Sequence, residues 1–367
     1  MTATEMSGRP PNREQYTVAV VFAMGFEMTA FRGMLDEEYD DSLPHEDQDS
    51  NDYILGRLGQ HHVVLAWLPG TQGIGAAASV GKDLARTFRS IRWRLLVGIG
   101  GGFPSDEHDI RLGDVVVSMP DRGKAHGGVV QYDLGKDIGD EFNRKGFLTQ
   151  PPPMLRNKVI RMQSNHELWG GSRINEHVQA MMRRFPALGQ RYDRPRATKD
   201  ILFDDNTAHE KGKACENCNI ARIKDREPRS DALPVIHYGL IASGNRVVVS
   251  TEERDKIKRS VDGDILCFEM EAGGLAVDHA CMVIRGISDY ADAHKNKDWQ
   301  HWAAANAAAC AKELLLLVRP AEVDSLEPSQ EHTRSRGAVI YQRLNQGVQI
   351  SGSGTTTMGD LNFGAPP

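Results

Sequence analysis

The sequence predicts an α/β fold. Short apolar, β-rich runs recur along it, helical patterns follow several of them, and many of the runs end in glycine or polar residues. The runs are continuously apolar, which suits strands covered on both faces. Residues 16–23 form the first run and residues 27–35 read as a helix, so the core opens with a strand-loop-helix unit. Residues 63–68 form the next strand, and residues 76–90 a helix after the turn Gly73-Ile74-Gly75. Further strands are expected at 95–99, 115–118, 240–243 and 282–287, with helices at 271–280 and at 302–317, the last bearing an Ala/Leu-rich face. Residues 121–235 mix glycine, proline and charge clusters with one convincing helix, around 174–185. They read as elaboration of the core, with an insertion or lid at 195–234. The catalytic domain is expected over 16–318, behind a flexible polar segment at 1–15. From residue 319 apolar density collapses into Ser, Thr, Gly, Asn and Gln, which bury too little surface to offset ordering entropy, so 319–367 reads as a low-complexity tail.

Composition narrows the function classes. Of 367 residues, 40% are hydrophobic and 26% charged, ordinary values for a chain that buries a full core. Net charge is −6 with Lys and Arg spread along the chain, so no electrostatic footprint for nucleic acid or an anionic membrane is visible, and a small-molecule substrate is expected. No run reaches the roughly 18 apolar residues needed to span a bilayer, and the first 15 residues lack an apolar leader core; a cytoplasmic protein is expected. Among five cysteines, Cys267, Cys281 and Cys310 lie in apolar segments as small hydrophobes, and no disulfide framework is implied.

The densest chemical signal is Cys267-Phe268-Glu269-Met270-Glu271-Ala272 followed by Arg285-Gly286-Ile287-Ser288-Asp289-Tyr290-Ala291-Asp292. Carboxylates at the ends of apolar runs either hold hydroxyl groups through charge-assisted hydrogen bonds or, where burial favours the protonated form, deliver a proton to a leaving group. Helix capping is the plain alternative for Asp289. Glu271 sits in an apolar stretch where an unpaired carboxylate is costly, which favours a functional role. His209, Cys215 and Cys218 have the spacing of a structural zinc site if a fourth ligand comes from elsewhere, although a single CxxC also serves as free thiols or a local redox pair. The chemistry calls for no catalytic metal and no organic cofactor.

These blocks resemble the nucleoside phosphorylase and nucleosidase superfamily, especially bacterial methylthioadenosine/S-adenosylhomocysteine nucleosidases. Residues 23–27 resemble that family's first loop with its water-positioning glutamate, and Gly73-Ile74-Gly75 its turn. Residues 98–102 and 112–118 resemble its glycine-rich strand end and following strand, and residues 241–245 its block after a later strand. The resemblance implies a three-layer nucleoside phosphorylase-like fold with a central mixed, partly barrel-like sheet flanked by helices. It also implies catalytic roles for Asp289, which would protonate or hydrogen-bond purine N7, and Glu27, which would orient or deprotonate water. Glu271 would hold the ribose 2′ and 3′ hydroxyls and Met270 would pack on the ribose, with Gly101, Asn245, Arg246 and Val247 completing the substrate-binding set. Ile99 stands where phosphorylases usually carry a phosphate-binding hydroxyl, which weakens phosphorolysis. Val247 stands roughly where the family's base-stacking aromatic does, leaving Phe203, Tyr132 or Phe268 to stack on the base.

Residues 127–136, 236–244 and 289–297 resemble still more closely the purine nucleoside phosphorylase-like domain at the head of fungal nucleotide-binding immune receptors. Related domains in bacterial antiviral systems act as ATP nucleosidases, so the resemblance implies hydrolysis of ATP or dATP to adenine and ribose triphosphate, as an immune or cell-death effector. The phosphates would meet cations drawn from Arg32, Lys211, Lys213, Arg222, Lys224, Arg226, Arg246, His294, Lys295 and Lys297, though no phosphate-loop signature is present. Alternatives are phosphorolysis or hydrolysis of a free purine nucleoside, and a catalytically silent nucleotide-sensing adaptor. Relatives pair into homodimers or higher homo-oligomers, which is expected here too. Residues 335–367 alternate Gly, Asn and Gln with apolar residues in the manner of amyloid-signalling motifs, implying a receptor partner recruited through the tail; a passive disordered tail fits the same composition.

Overall fold

The computed structural model describes residues 11–39, 46–121, 126–138, 141–146, 148–196, 199–204, 207, 209, 215, 218–229, 231–276, 281–295 and 297–326. The chain divides into two compact units, Met1–Glu331 and His332–Pro367. The second unit, with the tail motif expected at 335–367, lies outside the described residues, as do residues 1–10.

The first unit is built on β1 (Tyr16–Phe22), β2 (Glu37–Glu38), β3 (Tyr53–Leu58), β4 (His61–Trp67), β5 (Trp93–Gly102), β6 (Val115–Ser118), β7 (Val129–Gln131), a separate hairpin β8 (Gly135–Ile138) and β9 (Glu141–Arg144), then β10 (Ile236–Ser243), β11 (Ile265–Glu269) and β12 (Cys281–Asp289). The helices are α1 (Gly25–Arg32), α2 (Ile74–Thr87), α3 (Pro153–Trp169), α4 (Ile174–Arg184), α5 (Pro186–Tyr192), α6 (Thr251–Ser260), α7 (Ala272–Leu275), α8 (Gln300–Leu317) and α9 (Pro320–Asp324).

The main sheet runs β11-β10-β6-β12-β5-β1-β4-β3-β2, with β7 added on β10. It is mixed: β1 is parallel to β4 and β5, and β5 to β12, whereas β12 is antiparallel to β6. An antiparallel contact of β11 with β5, pairing Cys267 with Gly102 and Phe268 with Gly101, closes five strands into a partial barrel. Sheet and helices together form the expected three-layer α/β architecture.

The apolar runs are explained by burial on both faces. Along β1, Val18, Val20 and Phe22 face a core shared with α1, α3, α4 and α8, while Ala19 and Val21 face the core under α2 and α7. Most of α8 is buried, and it packs so closely on β12 that a Cβ at Gly286 would lie 1.9 Å from the Ala303 carbonyl oxygen. Cys267, Cys281 and Cys310 are buried as expected. Among the described residues no helix is long and apolar enough to cross a membrane.

Two expectations need correction. Among the described residues, 121–235 hold three α-helices, not one: α3, α4 and α5. In α3 only Leu155, Val159 and Met162 are buried, a stripe one residue wide that polar neighbours conceal, and its start is set by proline at the first helical position. The helix expected at 271–280 is the short α7, with residues 277–280 outside the described set.

Candidate active site

The carboxyl ends of β1, β5, β10, β11 and β12 converge on one cavity of about 260 Å³, the position at which open α/β sheets collect ligands. Its walls come from the loop after β1 (Ala23, Met24, Glu27), the end of β5 (Ile99 to Gly101), the segment after β10 (Arg246 to Val248), residues 268–271 and the end of β12 (Arg285, Ser288, Asp289).

Glu27 lies in the first turn of α1 and is buried. Its Oε2 accepts hydrogen bonds from the Ala23 and Met24 amides at 3.0 and 2.9 Å, and its Oε1 from the Ile99 amide at 2.7 Å. The residue therefore does cap its helix, while presenting its carboxyl to the cavity. Burial pushes its pKa up, opposed by the Arg285 charge and the three amides.

Glu271, at the N-terminus of α7, accepts from the Gly73 amide through Oε1 at 3.4 Å and from Arg285 Nη2 through Oε2 at 3.1 Å. Its pKa is pushed up to about 7, chiefly by burial; Arg285 works against the rise, and Glu269 and Glu27 add to it. Glu269, also buried, caps the same helix turn through the Glu271 and Ala272 amides and pairs with Arg285. One fully buried guanidinium thus serves three carboxylates. Removing it would leave uncompensated buried charge, a loss of roughly 3–5 kcal/mol. A side chain at Gly98 would meet both Arg285 Nη1 and Glu27 Oε1 within 2.5 Å, so this cluster needs glycine there.

Asp289 ends β12. Its Oδ2 accepts from the Ser288 hydroxyl at 2.9 Å, and its Oδ1 from the Ala291 amide at 3.0 Å and from Lys295 Nζ at 3.2 Å. The register with β5 slips between Ile287 and Asp289, turning the carboxylate toward the cavity beside Gly101. A Cβ at Gly101 would stand 2.9 Å from Asp289 Oδ1 and 3.0 Å from Ala291 Cβ. Ala291 holds φ +51°, a left-handed conformation that costs a non-glycine residue about 1 kcal/mol and persists only where surroundings enforce it.

Of the residues expected from sequence, Glu27, Gly101, Arg246, Val247, Met270, Glu271 and Asp289 line the cavity together. Asn245 does not: its Oδ1 accepts from the Ile74 amide at 3.0 Å and its own amide donates to Asp133, so it fastens the Gly73-Ile74 turn to the end of β10. Of the three aromatic residues, Phe268 lines the cavity. Tyr132 backs it, with ring centroids 6.2 Å apart and its hydroxyl on the Arg246 carbonyl, and Phe203 stacks on His294 instead. Arg285 and Glu269 were not assigned roles in this site from the sequence; an arginine within an apolar run, facing two acids from another run, was the available signal. Of the cations considered for phosphate, only Arg246 and Lys295 reach the cavity among the described residues. Arg32, Arg222 and Arg226 are paired with Glu38, Asp204 and Asp200, and Lys211 and Lys213 lie outside the described residues.

No protein-family model matches the chain. It is 41% identical over 307 residues to a nucleotide-binding leucine-rich repeat (NLR)-like protein of Hyaloscypha variabilis, a match that covers 84% of this chain and only 30% of that protein. Among solved structures it is similar to the 5′-methylthioadenosine/S-adenosylhomocysteine nucleosidase of Neisseria meningitidis in complex with methylthio-immucillin-A (TM-score 0.52, 19% identity, 82% of this chain and 99% of that one). It is also similar to the futalosine hydrolase of Helicobacter pylori (TM-score 0.51, 15% identity, 83% and 99%). A third is the S-adenosylhomocysteine nucleosidase of Streptococcus pyogenes in complex with 5-methylthiotubericidin (TM-score 0.52, 16% identity, 83% and 98%).

Proposed function

The chain has the nucleoside phosphorylase/nucleosidase fold, and from that premise we propose that it is an N-glycosidase that hydrolyses the purine–ribose bond of an adenine nucleotide. The observation that carries the reading is the convergence of Asp289, Glu271 and Glu27 on one cavity.

The base enters against Phe268, with Asp289 at its edge to donate a hydrogen bond or proton to N7. Charge leaving the ribose for the base is then neutralised as the bond breaks. Glu271 accepts from the ribose hydroxyls, an interaction that gains strength as positive charge builds on the ring. Met270 packs beneath the sugar. Glu27 has both oxygens engaged by backbone amides and retains lone pairs on the cavity side, enough to orient and deprotonate a water. Arg285 keeps this acidic group compact.

A volume of about 260 Å³ is below the roughly 300–1,000 Å³ of most ligand pockets, so base and ribose fill it and a phosphate chain projects through its mouth. Arg246 and Lys295 are the cations on the cavity wall, paired with Glu253 at 2.6 Å and with Asp289 at 3.2 Å, and a nucleotide such as ATP or dATP as substrate would draw on both. The identity with an NLR-like protein supports a role for the chain as the effector part of an immune receptor system, and a cytoplasmic location would suit that role. Homo-oligomerisation belongs to the same proposal.

Incubation of the protein with ATP, AMP, adenosine and inosine, with and without phosphate, followed by chromatography, tests the reading. Adenine from ATP without phosphate is expected; strict phosphate dependence, or no free base from any substrate, would overturn it.

A further inference from the structure

Outside the cavity, His209, Cys215 and Cys218 bring one imidazole nitrogen and two thiol sulfurs within 4.8 Å of one another. Ligands around a tetrahedral zinc, bound at about 2.0–2.3 Å, lie roughly 3.3–3.8 Å apart, so small side-chain rotations bring these three atoms onto one ion. A fourth donor stands beside them. The ring of His294 lies 5.5 Å from that of His209, and its carbonyl is 4.0 Å from Cys215 Sγ. The His294 side chain is 7% exposed, yet both of its ring nitrogens lack a hydrogen-bond partner. Burying imidazole nitrogens without a hydrogen bond is costly, and a metal ion on Nε2 would satisfy one of them.

The surroundings of His294 supply what a zinc-bound histidine normally has. Asp292 Oδ2 faces Nδ1 at 3.5 Å, the carboxylate that fixes the tautomer and leaves Nε2 free as the ligand. Phe203 stacks on the ring at 4.1 Å and covers one of its faces. We propose that His209, Cys215, Cys218 and His294 form a structural zinc site that fastens the 195–234 insertion to the loop that follows Asp289. All four positions are taken by protein, which assigns the ion to holding structure and not to catalysis. A second, metal-free clamp joins the same two segments: Asp200 accepts from the Tyr290 hydroxyl and pairs with Arg226 at 3.0 Å, and the Arg226 guanidinium lies over the Tyr290 ring.

The test is metal content of the full chain purified under reducing conditions. One zinc per chain is expected by elemental analysis, removable by chelator and regained on titration with Zn²⁺ alone. Substitution with Co²⁺ should give the visible bands and thiolate charge-transfer absorption of a tetrahedral sulfur site. Cys215→Ser with Cys218→Ser should abolish binding, His294→Gln should weaken it and alter the Co²⁺ spectrum, and Asp292→Asn should weaken it about 10- to 100-fold. No zinc on isolation and none regained, or a Cys215–Cys218 disulfide in its place, would overturn the site. Unchanged affinity and spectrum in His294→Gln would overturn the fourth ligand even if a variant folds poorly elsewhere.

Discussion

Lys295 Nζ stands 3.2 Å from Asp289 Oδ1, so the carboxylate that ends β12 is met by an ammonium from the loop that follows it. The same oxygen takes the Ala291 amide, and the other takes the Ser288 hydroxyl. Asparagine keeps the shape and one of the two acceptor oxygens at this position, and it cannot deliver the proton proposed for Asp289. Asp289→Asn is therefore expected to lower base release by about 10²- to 10⁴-fold with an unchanged melting temperature. Unaltered turnover would remove Asp289 from the chemistry.

The elevated Glu271 carboxyl gives a signed pH dependence. Its folded-state value, about 7, exceeds the ordinary 4.5, so between these values the native state holds more protons than the unfolded one. The stability this group contributes is complete below about pH 4.5 and is lost as pH rises through about 7. Glu271→Gln is neutral throughout, so its melting temperature should gain on the parent's as the buffer is raised from acid to alkaline. A difference independent of pH would show that the Glu271 carboxyl is not raised in the folded protein.

Phe268 is expected to grip the base. Phe268→Leu keeps most of the apolar volume and removes the ring face, so KM should rise several-fold while kcat changes little. A fall in kcat with KM unchanged would mark a packing role within its cluster with Phe103 and Tyr132.

Gly286 tests the seam between β12 and α8. Its added methyl would strike the Ala303 backbone carbonyl, which cannot rotate away. Gly286→Ala should cost roughly 1–3 kcal/mol or more through overpacking, read as a lowered denaturant midpoint with the same m value. Wild-type stability would show that the helix shifts freely.

Much of this architecture could be read before any coordinates, because strands buried on two faces leave continuous apolar runs such as 16–22 and because Glu27, Glu271 and Asp289 fall directly after such runs. What escaped has physical reasons. Helix α3 buries too narrow a stripe to show a period. Phe268, Tyr132 and Phe203 are equivalent as letters, and only the antiparallel pairing of Phe268 with Gly101 turns the first toward the cavity. Asn245 sits in the expected block, but its side chain is spent on the Ile74 amide. Arg285 acts through three partners that lie 14 to more than 250 positions away, a relationship no local pattern encodes.

The junction of β5 with β11 bears on when the protein becomes active. Gly101 and Phe268 meet across it, Glu27 comes from the first helix, and Asp289 lies far beyond in the chain. During synthesis no nascent chain shorter than 289 residues can hold a complete site, and a longer one must first bring together strands separated by more than 160 residues. Assembly of the site is therefore tied to long-range strand pairing and cannot run ahead of it.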